Sequence, residues 1–189
     1  TTDITRTYPL GELTEDEKRF YTWTLQSHID LARAVWLDYC ECKMIDTIAR
    51  EPLWRHLINY RCGTGHSVSF VGNVHEGPHA LNSRNTTRMR PGMVVTDEPG
   101  VYETDLVGIR IENELVCIHK ADNQYGTFLG FEPLTFVPIA TSPVVPGVLT
   151  RDELDWLNAY HREVFEKLAP RLTEDERDWL AKKCAAIGA

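Results

Sequence analysis

Between residues 63 and 140 helical periodicity gives way to short β-branched and aromatic runs cut by Gly, Pro and Asn, the texture of an antiparallel sheet with loops. On both sides the chain reads as helix. Thr14 with Glu17, Thr150 with Glu153 and Thr173 with Glu176 each have capping-box spacing, in which hydroxyl and carboxylate satisfy each other's backbone N–H at a helix start. After Thr14, the apolar residues Phe20, Trp23, Leu31, Ala34 and Val35 predict a helix over about 15–37. A second helix is expected over about 43–57, with a stripe of Met44, Ile45, Ile48, Ala49 and Leu57 and a bend at Pro52, which lacks the helical N–H. The later boxes open amphipathic stretches over 154–168 and 179–187, parted by Pro170. Helices first, sheet next and helices last is an α+β layout.

Composition narrows the partners. A chain of 189 residues with 42% hydrophobic content can bury a substantial core as one domain. No apolar run reaches the roughly 18 residues of a membrane-spanning helix, so no membrane partner is expected. Twenty Lys and Arg against 28 Asp and Glu leave a net charge of −8, and no nucleic-acid partner is expected without clustered cations. Five cysteines, Cys40, Cys42, Cys62, Cys117 and Cys184, lack Cys-x-x-Cys spacing and fit a reducing, cytoplasmic setting. Cys40 and Cys42, one residue apart and without companions, read as two ordinary thiols.

Several short segments carry chemistry. Alternation along a strand would turn Ile109, Ile111 and Leu115 to one side and Arg110, Glu112 and Glu114 to the other. The first set suits a helix-covered face. The second sets a cation between two carboxylates, whose repulsion is relieved only by Arg110, a metal or water. An amphipathic strand with a solvated face also fits this segment taken alone. Glu98 precedes Pro99-Gly100, which fixes one φ and permits a turn, so its carboxylate stands at a strand end. It is either a turn acid or a site group. His66 follows Gly63-Thr64-Gly65, where glycines allow close backbone approach, and neutral imidazole is a good ligand for divalent metals as well as a common structural side chain. Asp3 could equally belong to a polar terminal arm.

Thr2-Asp3-Ile4-Thr5-Arg6, Gly63-Thr64-Gly65-His66, Asp97-Glu98-Pro99-Gly100 and Gly108-Ile109-Arg110-Ile111-Glu112-Asn113 together would supply one imidazole and three carboxylates. In that order, with the tail motif Leu154-Asp155-Trp156-Leu157-Asn158-Ala159-Tyr160-His161, they resemble the C-terminal catalytic domain of Xaa-Pro aminopeptidases (aminopeptidase P), among the pita-bread metallopeptidases. The resemblance implies a curved antiparallel sheet covered by helices over 1–148, with a C-terminal helical extension over 149–189. It also implies that Asp3 and Glu112 bridge two divalent ions, while His66 and Glu98 complete one site. Glu98 and His75, in Asn73-Val74-His75-Glu76-Gly77-Pro78, fall in the catalytic set, and Arg110 orients the metal carboxylates. The family's first metal-binding Asp would lie upstream of Thr1, so truncation at the N-terminal edge is expected, with one ion or none held by this chain. Oxygen-rich ligation with one imidazole suits Mn²⁺, with Co²⁺ or Zn²⁺ as substitutes.

The implied activity is hydrolysis, by metal-activated water, of the bond between an N-terminal residue and proline. Peptides with proline in second position would be its partners, and a homodimer is a further expectation. Prolidase is the nearest alternative, and a catalytically silent binding or dimerisation module is another. The chain departs from the family where Cys62-Gly63-Thr64-Gly65-His66-Ser67-Val68-Ser69 replaces a run with a second histidine and two more glycines. A thiol there cannot carry protons near neutrality unless its pKa is perturbed. Trp156, Leu157, Tyr160, Val164 and Phe165 form a stripe broader than one helix can hide, expected to cover the chain's own body.

Overall fold

Each of the three capping boxes starts a helix in the structure, a computed structural model that describes residues 1–188. Helix α1 (Glu15–Ala32) begins where the Thr14 N–H donates to the Glu17 carboxylate at 2.7 Å and the Glu17 N–H donates to the Thr14 hydroxyl at 3.3 Å. It stops five residues short of the expected end. Arg33 turns out of the helix, and Val35–Leu37 leave as strand β1. The β-branched and aromatic side chains of that segment favour a pleated surface. There Trp36 packs on Phe131 at 4.6 Å between ring centroids, while Val35, expected on the helix stripe, is exposed.

Helix α2 (Cys42–Trp54) keeps Pro52 in its last turn, two residues before its end. Ile45, Ala49 and Leu53 are sealed in the core. Leu57, expected on the same stripe, lies beyond the helix at φ 59° and is 97% exposed. Met44 is also exposed, because its position on α2 turns away from the sheet.

The middle of the chain is antiparallel throughout, as its texture predicts. Strands β2 (Gly65–His66) and β3 (Ala80–Leu81) form one ribbon, and β5 (Gly100–Glu103) and β6 (Val107–Arg110) form another. The main sheet has the order β1-β8-β7-β4, built from β4 (Val94–Asp97), β7 (Asn113–Asn123) and β8 (Gly126–Pro133). The β7–β8 hairpin closes at Asn123 and Gly126, and the glycine's φ of 132° is one that other residues rarely adopt. One core layer lies between α2 and the main sheet, with Ile45, Ala49, Val95, Leu115, Cys117, Leu129 and Phe131.

A second core joins the two helical ends of the chain. Tyr21, Leu25 and Ile29 of α1 meet Ile109 and Ile111, and all pack with Leu157, Tyr160 and Val164 of α3 (Arg151–Leu168) and Leu180 of α4 (Glu174–Lys183). The stripe on α3 therefore covers its own body. Leu157, Tyr160 and Val164 are buried, whereas Trp156 is half-buried and stacks on Tyr160 with rings 5.3 Å apart and 3° from parallel. Helix α4 starts at its capping box and ends before Cys184, ahead of the expected limit at 187.

His161 lies fully buried on α3, and its Nε2 accepts the Ile139 N–H at 3.1 Å. Burial, with help from the Arg6 charge, lowers its pKa from 6.5 to about 4. The unfolded chain therefore takes up a proton below about pH 6.5 that the folded chain refuses until about 4, and stability falls with pH across that window. The stability difference between the wild type and His161→Gln should shrink by up to roughly 3 kcal/mol from pH 6.5 to 4, as read by urea unfolding at each pH. A pH-independent difference would show that His161 is not held neutral.

Candidate metal centre

The site is assembled where the two ribbons, the main sheet and the N-terminal arm converge. Register does much of the placing. Asp97 pairs with Asn113 across β4 and β7, and Gly100 pairs with Arg110 across β5 and β6, so Glu98, Arg110 and Glu112 come side by side. An isolated bridge from Ser67 to Val95 brings His66 against the same strand. Another, from Thr5 to Glu112, lays the N-terminal arm over the site.

His66 can approach that closely because Gly65 has no side chain. A Cβ on Gly65 would sit 1.8 Å from the Thr96 carbonyl oxygen. Thr96, fully buried, uses its hydroxyl twice, accepting the His66 N–H at 2.9 Å and donating to Glu98 Oε1 at 2.8 Å. The Ser67 carbonyl, 3.1 Å from His66 Nδ1, can only accept, which assigns a proton to Nδ1. Nε2 then faces Asp3 Oδ2 at 3.4 Å and Glu98 Oε1 at 3.1 Å. Something positive, a proton or a cation, must sit between this nitrogen and the carboxylates. Although burial opposes charge on His66, hydrogen bonding to Glu98 and Ser67 and the nearby Asp3 raise its pKa.

Two glutamates in the same centre are driven in opposite directions. Burial works to raise Glu98, but hydrogen bonds from His66 and Thr96 and the charge of Arg110, whose Nη1 is 3.2 Å from Oε2, hold it below the usual carboxylate range. Glu112 is 1% exposed, and burial, reinforced by Glu98 and Asp3, pushes it up to about 7 against the hydrogen bond from the Thr5 hydroxyl. Glu112 Oε1 has no hydrogen-bond partner among the described residues. An unpartnered buried carboxylate oxygen costs free energy that a cation would recover.

Ligand atoms of Asp3, His66 and Glu112 all lie within 4.8 Å of one another. The donor set fits a divalent ion, and its orphaned oxygen points to one. Glu98 stands outside that trio but against the same imidazole. His75 is exposed, with its ring 3.9 Å from that of His66 and tilted by 60°. Arg110 lies between Glu98 and the Tyr102 ring, 5.6 Å from its centroid. Glu114 Oε1 accepts the Asp3 N–H at 2.6 Å, while Arg110 reaches Glu98 instead. Glu112 and Glu114 are buried, and Arg110 is half-buried. Cys62 is a half-buried free thiol whose carbonyl accepts from Arg50 at 2.9 Å.

Sequence reasoning missed three supports. Arg6 was visible only as part of a motif, yet it ties the arm down. Thr96 carries no signal beyond its strand. His28 of α1 and Asp97, the residue before Glu98, are both fully buried and approach within 3.0 Å, and burial raises Asp97 to about 6 against the pull of His28. Residues so far apart in sequence offer no local pattern.

An antiparallel sheet clasped by helices, with carboxylates and one imidazole converging at its edge, is the construction of a metal-dependent hydrolase domain. Residues 1–119 match metallopeptidase family M24, and residues 127–187 match the C-terminal region of peptidase M24. The chain belongs to metallopeptidase family M24, with the pita-bread fold of its structural neighbours. It is 46% identical over 187 residues to aminopeptidase P2 of Arabidopsis thaliana, covering 95% of this chain and 26% of that protein. It is 42% identical over 195 residues to the probable Xaa-Pro aminopeptidase P of Laccaria bicolor, covering 99% and 30%. The X-prolyl aminopeptidase of Caenorhabditis elegans, described as a cytosolic enzyme with a di-nuclear active site, superposes with a TM-score of 0.91 at 38% identity over 98% of this chain and 31% of that one. Prolidase from Pyrococcus furiosus gives 0.62 at 28% identity over 72% and 37%. The chain thus spans less than a third of the length of the aminopeptidases it matches.

Because the clash at Gly65 is with backbone, Gly65→Ala should destabilise the fold by about 1–3 kcal/mol or more and break the Thr96 contact to His66. Chemical denaturation and the His66 imidazole resonances read both effects. Wild-type resonances in the variant would mean that the ribbon yields without moving the histidine.

Proposed function

We propose that this chain carries the metal-binding core of an Xaa-Pro aminopeptidase, cleaving the bond between an N-terminal residue and proline. The observation that carries the reading is the convergence of Asp3, His66 and Glu112 around the unpartnered Glu112 Oε1. Glu98 is the fourth donor, through the Oε1 that already faces His66 Nε2. Three carboxylates and one imidazole suit a hard or borderline ion, and Mn²⁺ is the proposed one. A divalent cation held there supplies an acidified water and polarises the scissile carbonyl.

The chain's own groups do the rest. Glu98, kept ionised by His66, Thr96 and Arg110, is placed to take a proton. The Ser67 carbonyl, accepting from Nδ1–H, fixes the orientation of His66. His75, exposed beside His66, is available to donate to the substrate as charge develops on the carbonyl oxygen. An imide before proline has no N–H, so aminopeptidases that need that donor reject it, which gives a dedicated enzyme its chemical niche.

Support for an aminopeptidase over a prolidase lies in extent, since the C. elegans structure accounts for 98% of this chain and the P. furiosus prolidase for 72%. The match of 127–187 to the C-terminal region of peptidase M24 points the same way. The cytosolic description of the C. elegans enzyme and five free thiols favour a reducing, cytoplasmic location.

Full-length protein carrying this chain, loaded with Mn²⁺, should release the first residue of an Xaa-Pro-Xaa tripeptide, lose that activity to a chelator, and leave Xaa-Pro dipeptides largely intact. Glu98→Gln should lower kcat by about 10²–10⁴-fold. Cleavage confined to dipeptides would establish the prolidase reading. Metal-loaded protein inert to both substrates would leave a binding module.

A further inference from the structure

The metal centre reaches the C-terminal helices through one guanidinium. Arg6 Nη1 donates to the carbonyls of Thr5 at 2.9 Å and of Glu112 at 2.5 Å. Its Nη2 donates to Asn113 Oδ1 at 2.7 Å, the Val137 carbonyl at 2.8 Å and the Tyr160 hydroxyl at 3.1 Å. Its Nε donates to the Pro138 carbonyl at 3.1 Å. The two residues flanking this clamp on the site side are Thr5, whose hydroxyl bonds Glu112, and Asp3, whose N–H bonds Glu114.

Tyr160 is held on several sides. It is 3% exposed and stacked on Trp156. Its hydroxyl accepts from Arg6 and from the Val137 N–H at 3.3 Å, and its single proton faces the Thr135 and Val137 carbonyls, each at 3.0 Å, and Asn113 Oδ1 at 3.4 Å. The hydroxyl thus orients both the guanidinium and the strand-to-loop segment that receives it. Without it, Nη2 keeps its other acceptors, but the fork loses the contact from the helix side that fixes its plane.

We propose that Tyr160 is a positioning residue for the metal centre, acting through Arg6 to hold the Asp3–Thr5 arm against Glu112. The proposal rests on the metal-site reading above. It gives the C-terminal helix a share in ligand geometry, although none of its side chains reaches the site. Positioning groups behind metal ligands typically change affinity by about 10–100-fold when removed.

The test uses Tyr160→Phe, which keeps the ring and its stacking and removes only the hydroxyl. Val164→Ala, fully buried in the same cluster, serves as a packing control. Mn²⁺ affinity is measured by titration calorimetry, and amide exchange by NMR at Asp3, whose N–H bonds Glu114, and at Glu112, whose N–H donates to the Thr5 carbonyl at 3.0 Å. Tyr160→Phe should weaken Mn²⁺ binding about tenfold or more and speed exchange at both amides, while exchange within α1 stays unchanged. Val164→Ala should lower stability with Mn²⁺ affinity unmoved. Unchanged affinity and exchange in Tyr160→Phe overturn the proposal alone, as does an equal loss of affinity in the packing control. Wild-type protein that takes up no Mn²⁺ overturns the metal-site reading and the proposal with it.

Discussion

A single cation, Arg6, holds the chain's beginning to its middle and its end. Among the described residues no carboxylate pairs with it at salt-bridge distance. Its charge is instead spread over carbonyls from residues 5, 112, 137 and 138, one side-chain amide and one phenol. A partly buried guanidinium is tolerable only with nearly all its donors used, and this fork uses every nitrogen. Its field reaches further, helping to keep His161 neutral and easing the ionisation of Asp97.

The centre beside that clamp shows how environment divides identical groups. Glu98 and Glu112 differ by neither chemistry nor depth so much as by company. Glu98 has two hydrogen-bond donors and a guanidinium within reach, and it is held as an anion. Glu112 has one hydroxyl and two acidic neighbours, and it is driven toward the neutral form. Carboxylates pushed apart in this way are a recurring mark of working sites. With a divalent cation bound beside it, Glu112 would be favoured as the carboxylate, because attraction would offset the repulsion from Glu98 and Asp3.

Local signals were the readable ones. Each capping box became a helix start because its two hydrogen bonds close within four residues and need no tertiary help. Helix ends were less readable. Residues 35–37 left the expected helix because β8 offered them strand partners at positions 128–130, and Leu57 left the α2 stripe because the turn after Trp54 carried it into solvent. The motifs at Asp3, His66, Glu98 and Glu112 come together in space. They could not show that Thr96 joins two of them or that His28 reaches Asp97.

The sequence by itself determined the α+β layout, the helix starts, the antiparallel middle and the family, because those depend on nearest-neighbour patterns and on motif order. Tertiary structure alone decided which carboxylate is anionic and which is crowded toward neutrality, since pKa follows burial and through-space charge rather than position in the chain. It also decided that Arg6 and Tyr160 belong together. Their contact spans 154 positions, and no local pattern can encode a hydrogen bond that exists only after a sheet and two helices have closed around it.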